Sequence, residues 1–175
     1  LMKSFFFLII FFFFSQNVHA VNKTVYIDIQ YIIDNSKLGK FYKSKIKIIQ
    51  DQNNLELTST EKKIKNKETE INNQKNILSE EELNNKLKEI NNMFTGYQKN
   101  KRRLNLDLSD QKKNYTSKIL KILNPLLTNY VDKNNIELVI EKKNIVVGSK
   151  TLDITNSILE ILNKETENKN LINDE

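Results

Sequence analysis

The chain has 175 residues, 28 of them basic and 22 acidic, with three glycines, one histidine and no cysteine. With His19 inside a leader (below), the remainder lacks the side chains of the usual zinc, haem and iron–sulfur centres. It also lacks the Cys nucleophile and His base of common covalent catalysis, and it has no glycine-rich phosphate loop. The composition therefore points away from an enzyme, and it suggests neither a cofactor nor a metal.

Residues 5–14, FFFLIIFFFF, form an unbroken apolar run. That is about half the roughly 20 residues a helix needs to cross a bilayer. Lys3 precedes the run, the polar Ser15, Gln16 and Asn17 follow it, and Val18-His19-Ala20 has the shape of a signal-peptidase exit. Residues 1–20 are predicted to be a secretory signal peptide, cleaved after Ala20, which takes His19 with it. Without cysteine the exported chain has no disulfide staples and must hold by packing.

Charge is unevenly placed. Residues 36–135 carry 21 basic and 12 acidic side chains, whereas both flanks are slightly acidic. Long-range attraction to anionic partners therefore belongs to the middle of the chain.

In chain order, residues 24–29 alternate Val25, Ile27 and Ile29 and predict a strand. From residue 36 the spacing becomes helical. Leu38, Phe41, Tyr42, Ile46, Ile48, Ile49 and Leu55 make a broad stripe, after which Leu57, Ile64, Ile71 and Leu78 remain, one per heptad. Thr60, Lys67 and Gln74 fill the intervening seam slots. A second heptad run takes in Leu83, Leu87, Ile90, Phe94, Tyr97, Leu104, Leu108, Tyr115 and Ile122. Ser79 followed by Glu82 is a capping box, and Glu80–Glu82 suit a first helical turn. The chain is expected to reverse near Ser79, so that residues 36–135 form an antiparallel coiled-coil hairpin. Pro125 should kink or restart its second helix.

Residues 136–141 alternate Ile136, Leu138 and Ile140, and residues 145–147 are Ile-Val-Val before Gly148. Both read as strands. Asp153 is an expected N-cap for a short helix with Ile154, Ile158, Leu159, Ile161 and Leu162 on its apolar side. Residues 164–175 are poor in apolar side chains and are expected to form a flexible tail.

The fold class is therefore α+β. A small sheet body, residues 21–35 and 136–163, carries the hairpin inserted between its first and second strands. Such a body is too small to close a core and leaves edges exposed. Val25, Ile27, Ile29, Ile136, Leu138, Ile140 and Val146 are the candidate oligomerisation core. The number of copies does not follow from the sequence.

Four stretches, TVYIDIQYIIDNSKLGK (24–40), ILSEEEL (77–83), LNPLLTNYVDKNNIELVIEKKNIVVG (123–148) and LDITNSILEILN (152–163), resemble the Skp/OmpH family of periplasmic chaperones in order and spacing. The resemblance implies a periplasmic homotrimer with a β body and three helical tentacles. Such a trimer keeps unfolded outer-membrane β-barrel proteins from aggregating without ATP, then hands them on for insertion. It transfers no catalytic residues. Lys62, Lys63, Lys65, Lys67, Lys86, Lys88 and Lys99 are candidates for the electrostatic client surface, which would also attract an anionic membrane surface. A structural coiled-coil protein tethering a folded envelope partner is the alternative. Nucleic acid is not expected as a partner, because no groove-reading module accompanies the basic run at Lys101-Arg102-Arg103.

Overall fold

The computed structural model describes residues 23–172. The expected leader and the last three residues of the expected tail lie outside the described residues. Strand β1 (Thr24–Ile27) leads into helix α1 (Ile29–Asn35), then α2 (Lys37–Gln74), α3 (Glu80–Lys133), strand β2 (Leu138–Glu141) and α4 (Thr155–Asn168). Two short 3-10 turns, Lys142–Asn144 and Lys150–Leu152, lie between β2 and α4.

The first strand is shorter than its alternation suggests. Asp28 ends it by capping α1, its carboxylate accepting the Tyr31 amide at 2.9 Å. Ile29 is therefore helical and packs half-buried against the core. Its partners Ile32 and Ile33 follow at helical spacing, and burying that face outweighs one more strand residue. Ser36 joins α1 to α2 within a single residue. Its amide donates to Ile32 O at 2.9 Å, and its buried hydroxyl accepts from Gly39 N at 3.0 Å.

β1 and β2 pair in parallel, with Val25 opposite Val139 and Tyr26 opposite Ile140. A parallel pair needs a long crossover, and here the whole hairpin supplies it. The register corrects the predicted inward face of β2. Val139, beside Val25, packs on the core, whereas Leu138 is 52% exposed. Residues 145–147 do not form the expected third strand. The place on the other side of β1 is taken by Asp153, bridged to Tyr26, and by Ile154, whose amide donates to Tyr26 O at 3.0 Å. With that edge occupied, Val146 and Val147 are left fully in solvent.

Val25, Ile27, Ile32, Leu38, Ile119, Leu123, Ile136, Ile158 and Leu162 meet in one core where α4 covers the base of the hairpin. Asp153 does serve α4, although one residue further out than expected. Ile154 takes the cap position, and the Asp153 carboxylate accepts from Thr155 N at 2.9 Å.

Pro125 does not break α3, which runs through it to Lys133. α3 ends in a Schellman motif with Asn135 at φ 50° and Ile136 N donating to Val131 O at 3.1 Å. The expected tail is also better ordered than its composition suggests. α4 continues to Asn168 and closes with the same motif, with Asn170 at φ 52° and Leu171 N bonded to Thr166 O at 3.1 Å. Leu171 and Ile172 then return to the core.

Candidate functional site: the helical arm

Along the arm the seam changes character with height. At the base it is apolar and aromatic. The Tyr42 and Tyr115 rings stack at 4.3 Å between centroids, only 10° from parallel, with the Lys118 ammonium within 6 Å of both. Ile119 and Leu123 lie buried just below.

Higher up, Ile64, Ile71, Tyr97 and Leu104 are the buried apolar residues, and polar pairs close the spaces between them. The Tyr97 hydroxyl donates to Glu61, and Asn100 Nδ2 donates to Glu56 at 2.6 Å. The Glu61 carboxylate raises the Tyr97 pKa above 10.0 by favouring the protonated phenol. This contact therefore holds below the ordinary tyrosine range and is lost as pH rises through the raised value. Lys86 reaches both Glu70 and Gln74 at 3.1 Å, and Lys67 pairs with Glu89. Pairs this exposed contribute little each, about 0–1 kcal/mol.

The slots expected on α2 are occupied as the heptads predict, with Thr60, Lys67 and Gln74 half-buried between Ile64, Ile71 and Leu78. On α3 the seam is rotated. Lys86, Met93 and Asn100 are half-buried, while Leu87 and Phe94 are each 49% exposed. Leu87 and Phe94, one heptad apart, thus form an apolar stripe beside the seam, and Ile48, Leu55, Ile77 and Leu106 add further exposed apolar groups on the arm.

The arm reverses at Ser79. Its hydroxyl accepts from Glu82 N at 3.3 Å, and its own amide donates to Glu82 Oε2 at 2.9 Å. The Ser79 hydroxyl and then the Ser79 amide hold the Glu82 carboxyl below its ordinary 4.5.

The seven candidate lysines divide into two groups. Lys62, Lys63, Lys65, Lys88 and Lys99 are exposed, whereas Lys67 and Lys86 are tied to the facing helix. The candidate oligomerisation residues divide too. Val25, Ile27 and Ile136 lie in the protomer's own core, and Ile29 and Ile140 are half-buried. Leu138 and Val146 are exposed, as are Val147 and Leu152. Lys40, Lys43, Lys47 and Lys112, which are not among the seven candidate lysines, are gathered by the fold on the lower arm. Their signal was the i, i+3, i+7 spacing of the first three.

Body and arm together define an α+β protein with one projecting helical hairpin. Over residues 23–162 the sequence matches the family described as outer membrane protein (OmpH-like). The chain belongs to that family. Among solved structures it resembles an OmpH-like protein of Caulobacter crescentus CB15, described as a candidate outer membrane chaperone. That likeness has a TM-score of 0.75 at 15% identity and covers 83% of this chain and 86% of the other. No curated protein matches the sequence.

Proposed function

We propose that the chain is an ATP-independent periplasmic holdase for unfolded outer-membrane proteins. It acts as a trimer whose arms enclose the client and later release it for membrane insertion. Membership of the OmpH-like family supports a chaperone role. The observation that carries the finer reading is the arm's surface, where Leu87, Phe94, Leu55 and Ile77 stand exposed on helices that also carry the exposed Lys62, Lys63, Lys65, Lys88 and Lys99. Many shallow apolar and cationic contacts suit a partner with no fixed shape, and net positive charge speeds its capture. A seam with one buried aliphatic per heptad on α2 can separate at small cost, since each such side chain contributes about 1.5–3 kcal/mol.

Assembly is supported by the body. β2 pairs only with β1 among the described residues, its Leu138 stands exposed, and Val146, Val147 and Leu152 in the segment that follows are exposed too. An open strand edge beside apolar side chains favours association with another copy. In this reading the outward members of the candidate core, Leu138 and Val146, make the contact, while Val25, Ile27 and Ile136 hold the strands in place. The chain carries no catalytic function.

The test is dilution of an unfolded outer-membrane β-barrel from denaturant in the presence of the processed protein. Suppression of light scattering at equimolar trimer is expected, weakening as salt rises. Unchanged aggregation at low salt would refute the proposal.

A further inference from the structure

Three concavities on the lower arm share walls. One, of about 260 Å³, lies under the α1–α2–α3 junction and is bordered by Asp34, Tyr42, Lys43, Ile46, Lys112 and Tyr115. The next, about 550 Å³, follows α2 past Lys40, Lys43 and Lys47 and also touches Lys112. The third lies along α3 at Lys112, Lys113 and Leu120. Lys112 borders all three, and Lys43 and Ile46 border two.

Asp34 is the one acidic side chain in these walls, and it already accepts from Gln30 Nε2 at 2.9 Å. Asp51 and Asp110 partly neutralise Lys47 and Lys113, at 3.4 and 3.6 Å. Lys40, Lys43 and Lys112 are exposed and have no ion pair or hydrogen-bond partner for their ammonium groups among the described residues. The strip is therefore strongly cationic, with an apolar floor of Tyr42, Ile46 and Tyr115.

We propose that this strip docks an extended acidic segment of the client, with alternate carboxylates on Lys40, Lys43 and Lys112 and the intervening apolar side chains against Tyr42, Ile46 and Tyr115. The inference rests on the holdase reading and adds the chemistry of the bound segment. The spacing favours a peptide over a compact anion. Lys40, Lys43 and Lys47 are spread along about 10 Å of α2 at 1.5 Å per residue, whereas a single phosphate needs converging donors. Side chains on one face of an extended chain recur about every 6.6 Å, close to the roughly 6 Å rise from Lys43 to Lys47. Lys40 lies about 4.5 Å below Lys43 and meets that period through its long, flexible side chain. Membrane β-strands alternate apolar and polar side chains with that same period of two.

The test uses fluorescein-labelled decapeptides alternating Glu–Val, Ser–Val or Lys–Val, added to the full-length processed protein and followed by anisotropy. The Glu–Val peptide should bind tightest, and Lys43→Glu with Lys112→Glu should weaken it by about tenfold or more. Lys164→Glu, on the exposed side of α4 in the body and outside the candidate client surface, should leave it unchanged. If the double reversal fails to fold by circular dichroism, Lys43→Gln with Lys112→Gln replaces it, with the same expected direction. Equal binding of all three peptides, or binding indifferent to Lys43 and Lys112, overturns the inference. So does capture of phosphatidylglycerol vesicles, but not of the peptide, through those two lysines. Suppression of β-barrel aggregation by the wild-type protein, measured alongside, separates this failure from failure of the holdase reading.

Discussion

Gly39 presses its α-carbon against the carbonyl of Ile33 so closely that a Cβ there would lie 1.7 Å from the oxygen. The contact is between backbones, so neither side can yield by turning a rotamer. It exists because Ser36 joins α1 to α2 without a loop, folding the first turn of the arm back on the last turn of α1. The substitution Gly39→Ala is expected to cost about 3 kcal/mol or more and to disturb the Ser36 cap. Thermal unfolding followed by circular dichroism checks this, and an unchanged midpoint would mean the junction is looser than described.

The base and the upper arm should respond differently to truncation. Tyr115→Ala removes the stacked partner of Tyr42 above the main core and should lower global stability by about 2–4 kcal/mol. Ile71→Ala removes a buried side chain from the polar part of the seam. Its effect should appear mainly as faster hydrogen exchange in the upper halves of α2 and α3, with little change at α4.

The tip offers a pH prediction. Glu82 titrates below its ordinary 4.5 because Ser79 donates to its carboxylate. A depressed acid contributes stability above its unfolded pKa, and that contribution is lost as pH falls through the lower folded value. Exchange of the amides at residues 80–83 should therefore accelerate as pH drops below about 4.5, after correction for intrinsic rates. Ser79→Ala should cost about 1 kcal/mol locally and weaken that pH dependence, because the backbone amide at position 79 still donates to Glu82.

Leu87 and Phe94 separate client contact from seam packing. Being half exposed, Leu87→Ser with Phe94→Ser should change stability by no more than about 0.5 kcal/mol each. Suppression of aggregation should nevertheless weaken severalfold. A large fall in the melting midpoint would return both residues to the seam.

Much of this arrangement was legible in the residues. The Ser79–Glu82 box placed the reversal, and the heptads from Leu57 to Leu78 placed Thr60, Lys67 and Gln74 between the helices. What escaped depended on partners distant in sequence. Leu87 and Phe94 are more apolar than Lys86 and Met93, and one step around the helix both sets fit the heptad. The facing acids Glu70 and Glu89, near Lys86 and Lys67, go with the latter register. Ile145–Val147 has strand-like composition, but β1 had no edge left once Asp153 was bridged to Tyr26. Ile29 belonged to a helix because Asp28 is a cap, a signal masked by the alternation of Val25 and Ile27. Residues 164–172 looked too polar to be held, yet Lys37 pairs with Glu167 and Leu171 returns to the core. The lower-arm cluster is not visible in the sequence because it forms only when Lys112 of α3 comes beside Lys40, Lys43 and Lys47 of α2.

Sedimentation equilibrium of the processed protein at micromolar concentration tests most directly whether the arms enclose a client. The account predicts a species of three times the protomer mass, reduced to the protomer by Leu138→Glu on the exposed sheet face. A wild-type protein sedimenting as single chains would leave the arms with nothing to close around, and would contradict it.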